Sequence, residues 1–502
     1  MSPGPEGPAR PPGAPRPSAT RMGPAPQHEQ VELPALADRE GVLADLTRMI
    51  ADAWASFDAP RISEPELDPA FVERLEAALP GPPGDAEDAL ADAARVLDAS
   101  VSPSRPLNLA YIGSTGLEVG VLASALTATY DVNLAVAAGG AELVEEQTLR
   151  WAAEFVGFPF AEGAFTSGGM TSNLTALLAA REQAVPGARV EGLSARRLAV
   201  YCSEEAHHSV VRAVETSGIG SAWVRGIRLD ERRRMRPDAL AAAIDADRAD
   251  GVTPVAAIAT AGTTLTGAVD PLADLADVCE PRDVWLHVDG AYGLPAAAAP
   301  SAAPLFAGLD RADSATIDAH KWLGVQKPCS IVLLRRAGGL QAAFGHEEHY
   351  MLRQADVANP VDRTLEYSRP LNSLRLWMAF RVHGADQYRV WIERTLEHAR
   401  ELARLIAGHP SFELLHEPQL STVCFRHVPA GLDAASLDAH NVGLAEAMQR
   451  DGRIYLAPAV VDGRSCLRVS FVNFRTSPEA VERVLEVADE IGGAVSPRRE
   501  EP

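Results

Sequence analysis

Residues Ser314–Gly324 read Ser-Ala-Thr-Ile-Asp-Ala-His-Lys-Trp-Leu-Gly, and a second apolar run, Cys329–Leu334, follows closely. Ser314–Ile317 and Cys329–Leu334 each read as a short buried strand. Lys321 therefore falls at a strand end, between two buried strands. An ammonium group is costly to bury unless its charge is removed or used. Lys321 either snorkels at a sheet edge or sits with a lowered amine pKa, able to bond an aldehyde carbon. Upstream, the apolar strand Val284–Asp289 ends in an acid. An acid and a lysine at neighbouring strand ends favour the second reading.

The surrounding pattern predicts how those strands are arranged. Apolar strands are expected at 197–201, 222–225 and 254–259, with helical stretches such as 237–247 and 271–280 between several of them. Strand–helix alternation predicts an α/β fold with a mostly parallel sheet covered on both faces. Such sheets bind ligands at the carboxyl ends of their strands, where Asp289 and Lys321 both fall. The large unit is expected over 106–373. From about Leu374 the chain turns helical, then alternates short strands near 422–425 and 466–470 with helices near 434–450 and 478–492. That predicts a small α+β unit over 374–495, with a tail at 496–502. Residues 29–105 read as amphipathic helices interrupted by a linker at 80–84. The first 26 residues hold nine prolines and four glycines, so 1–28 is expected to be a disordered tail.

Composition narrows the partners. With 46 basic and 68 acidic residues, net charge −22, an acidic surface argues against nucleic acid. No run is apolar and long enough to span a bilayer, and no secretory leader is visible. The five cysteines (Cys202, Cys279, Cys329, Cys424, Cys466) are scattered. Reduced, buried thiols in a cytoplasmic protein are the simplest reading. No metal site is expected.

Three further stretches bear on chemistry. Thr166–Asn173, Thr-Ser-Gly-Gly-Met-Thr-Ser-Asn, opens a helix. It is an ordinary cap loop or a phosphate cradle built from free backbone N–H groups and the helix dipole. Glu205–Val210 carries His207 and His208, and a histidine here is either a cap or surface group or a functional one. Gly262–Asp270 is a threonine-rich turn after a strand. Asp270 either supports the site from behind or, the simpler expectation, caps the helix beginning at Pro271.

With His287-Val-Asp-Gly-Ala-Tyr292 and Asp318-Ala-His-Lys-Trp322, the chain resembles the group II pyridoxal-phosphate-dependent amino acid decarboxylases, from about Pro106 to the C-terminus. This group includes the aromatic amino acid, glutamate, histidine and diaminobutyrate enzymes. The resemblance implies a fold-type I (aspartate-aminotransferase-like) architecture and pyridoxal 5'-phosphate as cofactor. It implies that Lys321 forms the Schiff base, Asp289 holds the pyridine nitrogen protonated and His207 stacks on the ring and touches the substrate carboxylate. Gly169 and Met170 would hold the phosphate through backbone N–H groups. Thr264, Ala291, Ser314 and His320 would complete the cofactor's surroundings, and Ser114 would contact the substrate side chain. The activity implied is loss of CO₂ from an L-amino acid. Aldehyde synthases, aminotransferases and a catalytically silent homologue stand as alternatives. The implied substrate segments 109–115 and 133–137 are mostly small or aliphatic, which favours a non-aromatic side chain, with an aromatic one as the alternative. The relatives supply a proton-donating tyrosine from a mobile loop, here about 344–362. No tyrosine matches its distal end, where Arg363 stands; Tyr350 and His349 lie earlier. The resemblance also implies a homodimer with shared active sites, clasped by the N-terminal helices.

Overall fold

The computed structural model describes residues 36, 38–58, 68–79, 84–113, 115–135, 138–346 and 359–495. A seven-stranded sheet dominates it. Its strands are β1 (Glu162–Thr166), β2 (Leu198–Ser203), β3 (Val224–Ile227), β4 (Thr253–Thr260), β5 (Trp285–Asp289), β6 (Ser314–Asp318) and β7 (Ser330–Leu334). Their order is β1-β7-β6-β5-β4-β2-β3. Only β7 runs against the others, pairing antiparallel with both β1 and β6. The sheet is mostly parallel, as the alternation of strands and helices requires. Every residue of β1, β2, β5, β6 and β7 is buried. Helices on both faces leave no solvent side, so these strands read as continuous apolar runs rather than alternating ones.

The long helix Ser373–Ala407 crosses from this sheet to the C-terminal layer. Gly384 adopts φ 74° and ψ 159° inside it and kinks it. A residue with a Cβ adopts that conformation only at a cost. The C-terminal layer is a four-stranded antiparallel sheet, β10-β11-β9-β8, built from β8 (Phe412–Leu414), β9 (Thr422–His427), β10 (Ala457–Val461) and β11 (Arg464–Ser470). Helices Ala434–Asp451 and Pro478–Ala494 cover it. The stretch before Tyr111 belongs to this layer by packing: Leu109 N donates to Tyr455 O at 2.9 Å, and the Leu109 side chain is fully buried in that core.

Near the N-terminus, helices Arg39–Phe57, Pro69–Leu75 and Ala86–Asp98 begin at Asp38, Asp68 and Asp85. Each aspartate accepts backbone N–H groups of the first turn, the usual way to satisfy a helix start. The first and third of these helices bury no residue; in the second only Phe71 is buried, with Arg74 and Arg95 over its ring. No helix among the described residues is long and apolar enough to cross a membrane.

Candidate active site

β4, β5 and β6 end side by side. Thr260 pairs with Asp289, and Asp289 with Thr316. Beyond their carboxyl ends lies a cleft of about 270 Å³. Lys321 enters it from the turn after β6. That turn is tied down from behind: Trp322 Nε1–H donates to Thr395 Oγ1 at 3.0 Å, Tyr388 O–H donates to Leu323 O at 2.9 Å, and the Trp322 ring stacks on Tyr292 at 5.1 Å. A lysine on so constrained a turn can move its amine while its backbone stays fixed.

Lys321 Nζ lies 2.8 Å from Asp318 Oδ2. The other oxygen, Asp318 Oδ1, is buried and has no hydrogen-bond partner. Asp289 is buried; its Oδ2 accepts from Asn173 Nδ2–H at 2.8 Å and its Oδ1 from Ala291 N–H at 3.2 Å. His207 stands across the cleft and caps the helix His208–Thr216, its Nδ1 accepting from Ser209 N–H at 3.2 Å. That bond leaves Nε2 to carry the proton of the neutral ring and to face the cleft. Desolvation by the walls lowers the His207 pKa; the Asp289 charge pulls the other way and the Lys321 charge adds to the lowering.

The helix Gly169–Ala184 starts at the cleft. Its first N–H groups have no partners within the helix. A Cβ on Gly169 would lie 2.8 Å from Asp318 Oδ2 and 3.2 Å from the Ala291 Cβ, so only glycine lets this turn approach so closely. Met170 is partly exposed at the rim. Thr264 and Ala291 line the cleft, and the Thr264 carbonyl accepts from Arg468.

Two expected contacts are not formed this way. Ser314 opens β6, at the far end from the cleft. A strand rises about 3.3 Å per residue, so four steps separate it from Asp318. Its Oγ is fully buried and accepts from Trp285 Nε1–H at 2.7 Å, with His287 Nδ1 at 2.8 Å. It does not line the cleft. Asp270 caps no helix: Pro271 precedes Leu272–Cys279 with no side-chain cap, while the Asp270 oxygens accept Met235 N–H at 2.6 Å and Thr260 N–H at 2.7 Å. His320 is packed behind the lysine, its Nδ1 2.9 Å from Cys329 O and its Nε2 3.7 Å from Asp318 Oδ2. Ser114, Tyr350 and His349 lie outside the described residues.

Three groups at the site had no role in the sequence reading. Asp318 stood in the lysine motif, and its spacing of three before Lys321 was the available signal. Asn173 stood at the end of the glycine motif, one helical turn after Gly169, a spacing that puts both on one face. Arg468 gave no signal, since only the fold brings β11 here. It is buried, Nη2–H donates to Ala110 O at 2.6 Å, and among the described residues no carboxylate pairs with it.

The description "Pyridoxal-dependent decarboxylase conserved domain" belongs to the family whose model matches residues 69–428. The chain belongs to this family. The match begins within the N-terminal helices, earlier than Pro106. The chain is 32% identical to the aromatic-L-amino-acid decarboxylase of Bacillus atrophaeus, over 76% of this chain and 80% of that one. It is 34% identical to the L-2,4-diaminobutyrate decarboxylase of Rhizobium meliloti, over 70% of each. The crystal structure of mouse CSAD superposes with a TM-score of 0.85 at 26% identity, covering 90% of this chain and 98% of that one. The protein is therefore a carboxy-lyase of the pyridoxal-phosphate-dependent class, with the fold-type I architecture.

The cleft fits that cofactor. It offers an amine on a fixed turn, a buried carboxylate held by two donors, and a helix start whose first residue, Gly169, carries no side chain of its own. An aldehyde, a pyridine nitrogen and a phosphate are the three groups those features suit.

Proposed function

We propose that the protein removes the α-carboxylate of an L-amino acid as CO₂ and releases the amine. One observation carries this reading: Lys321, Asp289, His207 and Gly169 come from four separate stretches and face one cleft at the strand ends. Pyridoxal phosphate, when bound, supplies an electron sink for the bond that loses CO₂. The chain does the rest. Lys321 would hold the cofactor's aldehyde through its amine, which the fixed turn leaves free to move. Asp289 holds the ring nitrogen in its protonated state. The ring of His207 flanks the site, with Nε2–H available to the substrate carboxylate. Gly169 and Met170 N–H groups receive the phosphate, and Thr264, Ala291 and His320 complete its surroundings. Ser114 contacts the substrate side chain. The uncompensated Arg468, beside Ala110 and Thr264, gives that side of the cleft positive charge and favours a polar or acidic substrate over an aromatic one.

The enzyme acts as a homodimer in the cytoplasm. Leu43 and Leu97 of the N-terminal helices are 62% and 71% exposed, and Leu122, Leu126 and Tyr130 form an exposed stripe along helix Glu118–Tyr130. Apolar surface of this kind supports a two-fold partner.

Replacing Lys321 by alanine tests the site. The variant should lose the near-visible absorbance band that pyridoxal phosphate gives when bonded to a lysine, and all turnover. An unchanged spectrum contradicts the assignment.

A further inference from the structure

Behind Asp289 runs a line of buried polar groups that the reaction itself does not touch. Trp285 Nε1 is 2.7 Å from Ser314 Oγ. Ser314 Oγ is 2.8 Å from His287 Nδ1. His287 Nε2 is 3.0 Å from Asn173 Oδ1, and Asn173 Nδ2 is 2.8 Å from Asp289 Oδ2. All five residues are buried, with Ser314 at 0% exposure and Asn173 at 1%.

The direction of every bond follows from chemistry. An indole N–H only donates, so Ser314 Oγ accepts from Trp285 and its own hydrogen is free to go on. At the other end, the carboxylate only accepts when ionised. Asn173 must turn its NH₂ group to Asp289, because the flipped amide would set two oxygens 2.8 Å apart. The second hydrogen of that NH₂ meets Ser209 Oγ at 3.3 Å, which agrees with the same orientation. Asn173 Oδ1 then faces His287, so His287 Nε2 carries a hydrogen and donates it. The neutral ring leaves Nδ1 as an acceptor for the Ser314 hydroxyl. Burial favours that neutral ring and lowers the His287 pKa to about 4, against the opposing pull of Asp289 and the Ser314 backbone.

We propose that Trp285, Ser314, His287 and Asn173 are positioning residues. They form a one-way hydrogen-bond relay in which every donor points toward Asp289, holding that carboxylate ionised and fixed in orientation. This rests on the reading of Asp289 as the partner of the cofactor's ring nitrogen. Bonds aligned in one direction polarise one another. A charge-assisted bond at the end of such a line is stronger than a neutral one. The relay fixes the carboxylate where it must pair with a pyridinium. It also assigns a role to Ser314, which lies too far from the cleft to touch the cofactor.

The test loads the full-length enzyme with ring-¹⁵N pyridoxal phosphate. Solid-state ¹⁵N NMR reads whether the ring nitrogen is protonated, and a spectroscopic titration reads the cofactor dissociation constant. Wild type should show a protonated nitrogen. In His287→Leu, dissociation should rise by on the order of 10- to 100-fold, as when a buried hydrogen-bonding group loses its partner, and the nitrogen signal should shift toward the unprotonated form. His287→Gln keeps an N–H toward Asn173 and should recover most of both. If His287→Leu does not fold, Ser314→Ala breaks the same line with a smaller change and should shift the same signals less. A folded His287→Leu or Ser314→Ala with wild-type affinity and a protonated nitrogen overturns the relay. Asp289→Asn is the separate control: a nitrogen that stays protonated there overturns the reading of Asp289 itself.

Discussion

At the scale of single residues, Asp318 sets the sharpest expectation. It pairs with Lys321, leaves one buried oxygen without a partner and lies against Gly169. In the proposed site, cofactor binding would separate Lys321 from this carboxylate and would bring a phosphate dianion near it. Both effects oppose binding. Asp318→Asn should therefore tighten pyridoxal phosphate binding, by about tenfold for each 1.4 kcal/mol of repulsion relieved. Fluorescence titration of cofactor-free protein measures it, and weaker binding contradicts the argument. Asp270 offers a test by pH. Burial raises its pKa to about 6 from an ordinary 3.8, although two backbone N–H groups pull it down. Between those values the folded chain holds the proton more tightly than the unfolded chain. The stability this group contributes is therefore full below 3.8 and is lost as pH rises through 6. Asp270→Asn cannot accept both N–H groups, so it should cost about 1–3 kcal/mol. Melting temperatures of the pair across pH 4.5 to 7 should converge as pH rises, because only the wild type loses stability from this residue.

At the scale of elements, the parallel strands were legible because burial on both faces makes them continuous apolar runs. The lysine turn and the acid-ended strand were legible for the same reason: charge beside such runs stands out. β1, β8 and β10 were missed. Of these, β8 is three residues long, and β10 has the exposed positions Pro458 and Val460, so neither carries a strong apolar signal. The long helix Ser373–Ala407, expected as helical sequence from about Leu374, is broken in its backbone conformation at Gly384. Ser314 was misplaced because it opens its strand, whereas such sheets meet their ligands at the carboxyl ends. Asn173 and Arg468 were invisible for a related reason: their partners, Asp289 and Ala110, are distant in sequence.

At the scale of the whole molecule, the proposed dimer rests on the exposed leucines of the N-terminal helices and the stripe on Glu118–Tyr130. Light scattering at micromolar concentration should give twice the 53.3 kDa chain mass; a single chain mass contradicts the dimer. Co-expressing Lys321→Ala with a chain deleted over 344–362 should restore part of the activity only if sites are shared. The central claim is decarboxylation, and a carbon balance tests it most directly. Carboxyl-labelled amino acids, the twenty common ones and diaminobutyrate, are supplied one at a time to the loaded enzyme. CO₂, amine, ammonia and hydrogen peroxide are then counted. The account predicts one CO₂ and one amine per turnover, strongest for a polar or acidic side chain, with neither ammonia nor peroxide. Ammonia and peroxide in step with CO₂, or turnover that releases no CO₂, would contradict it.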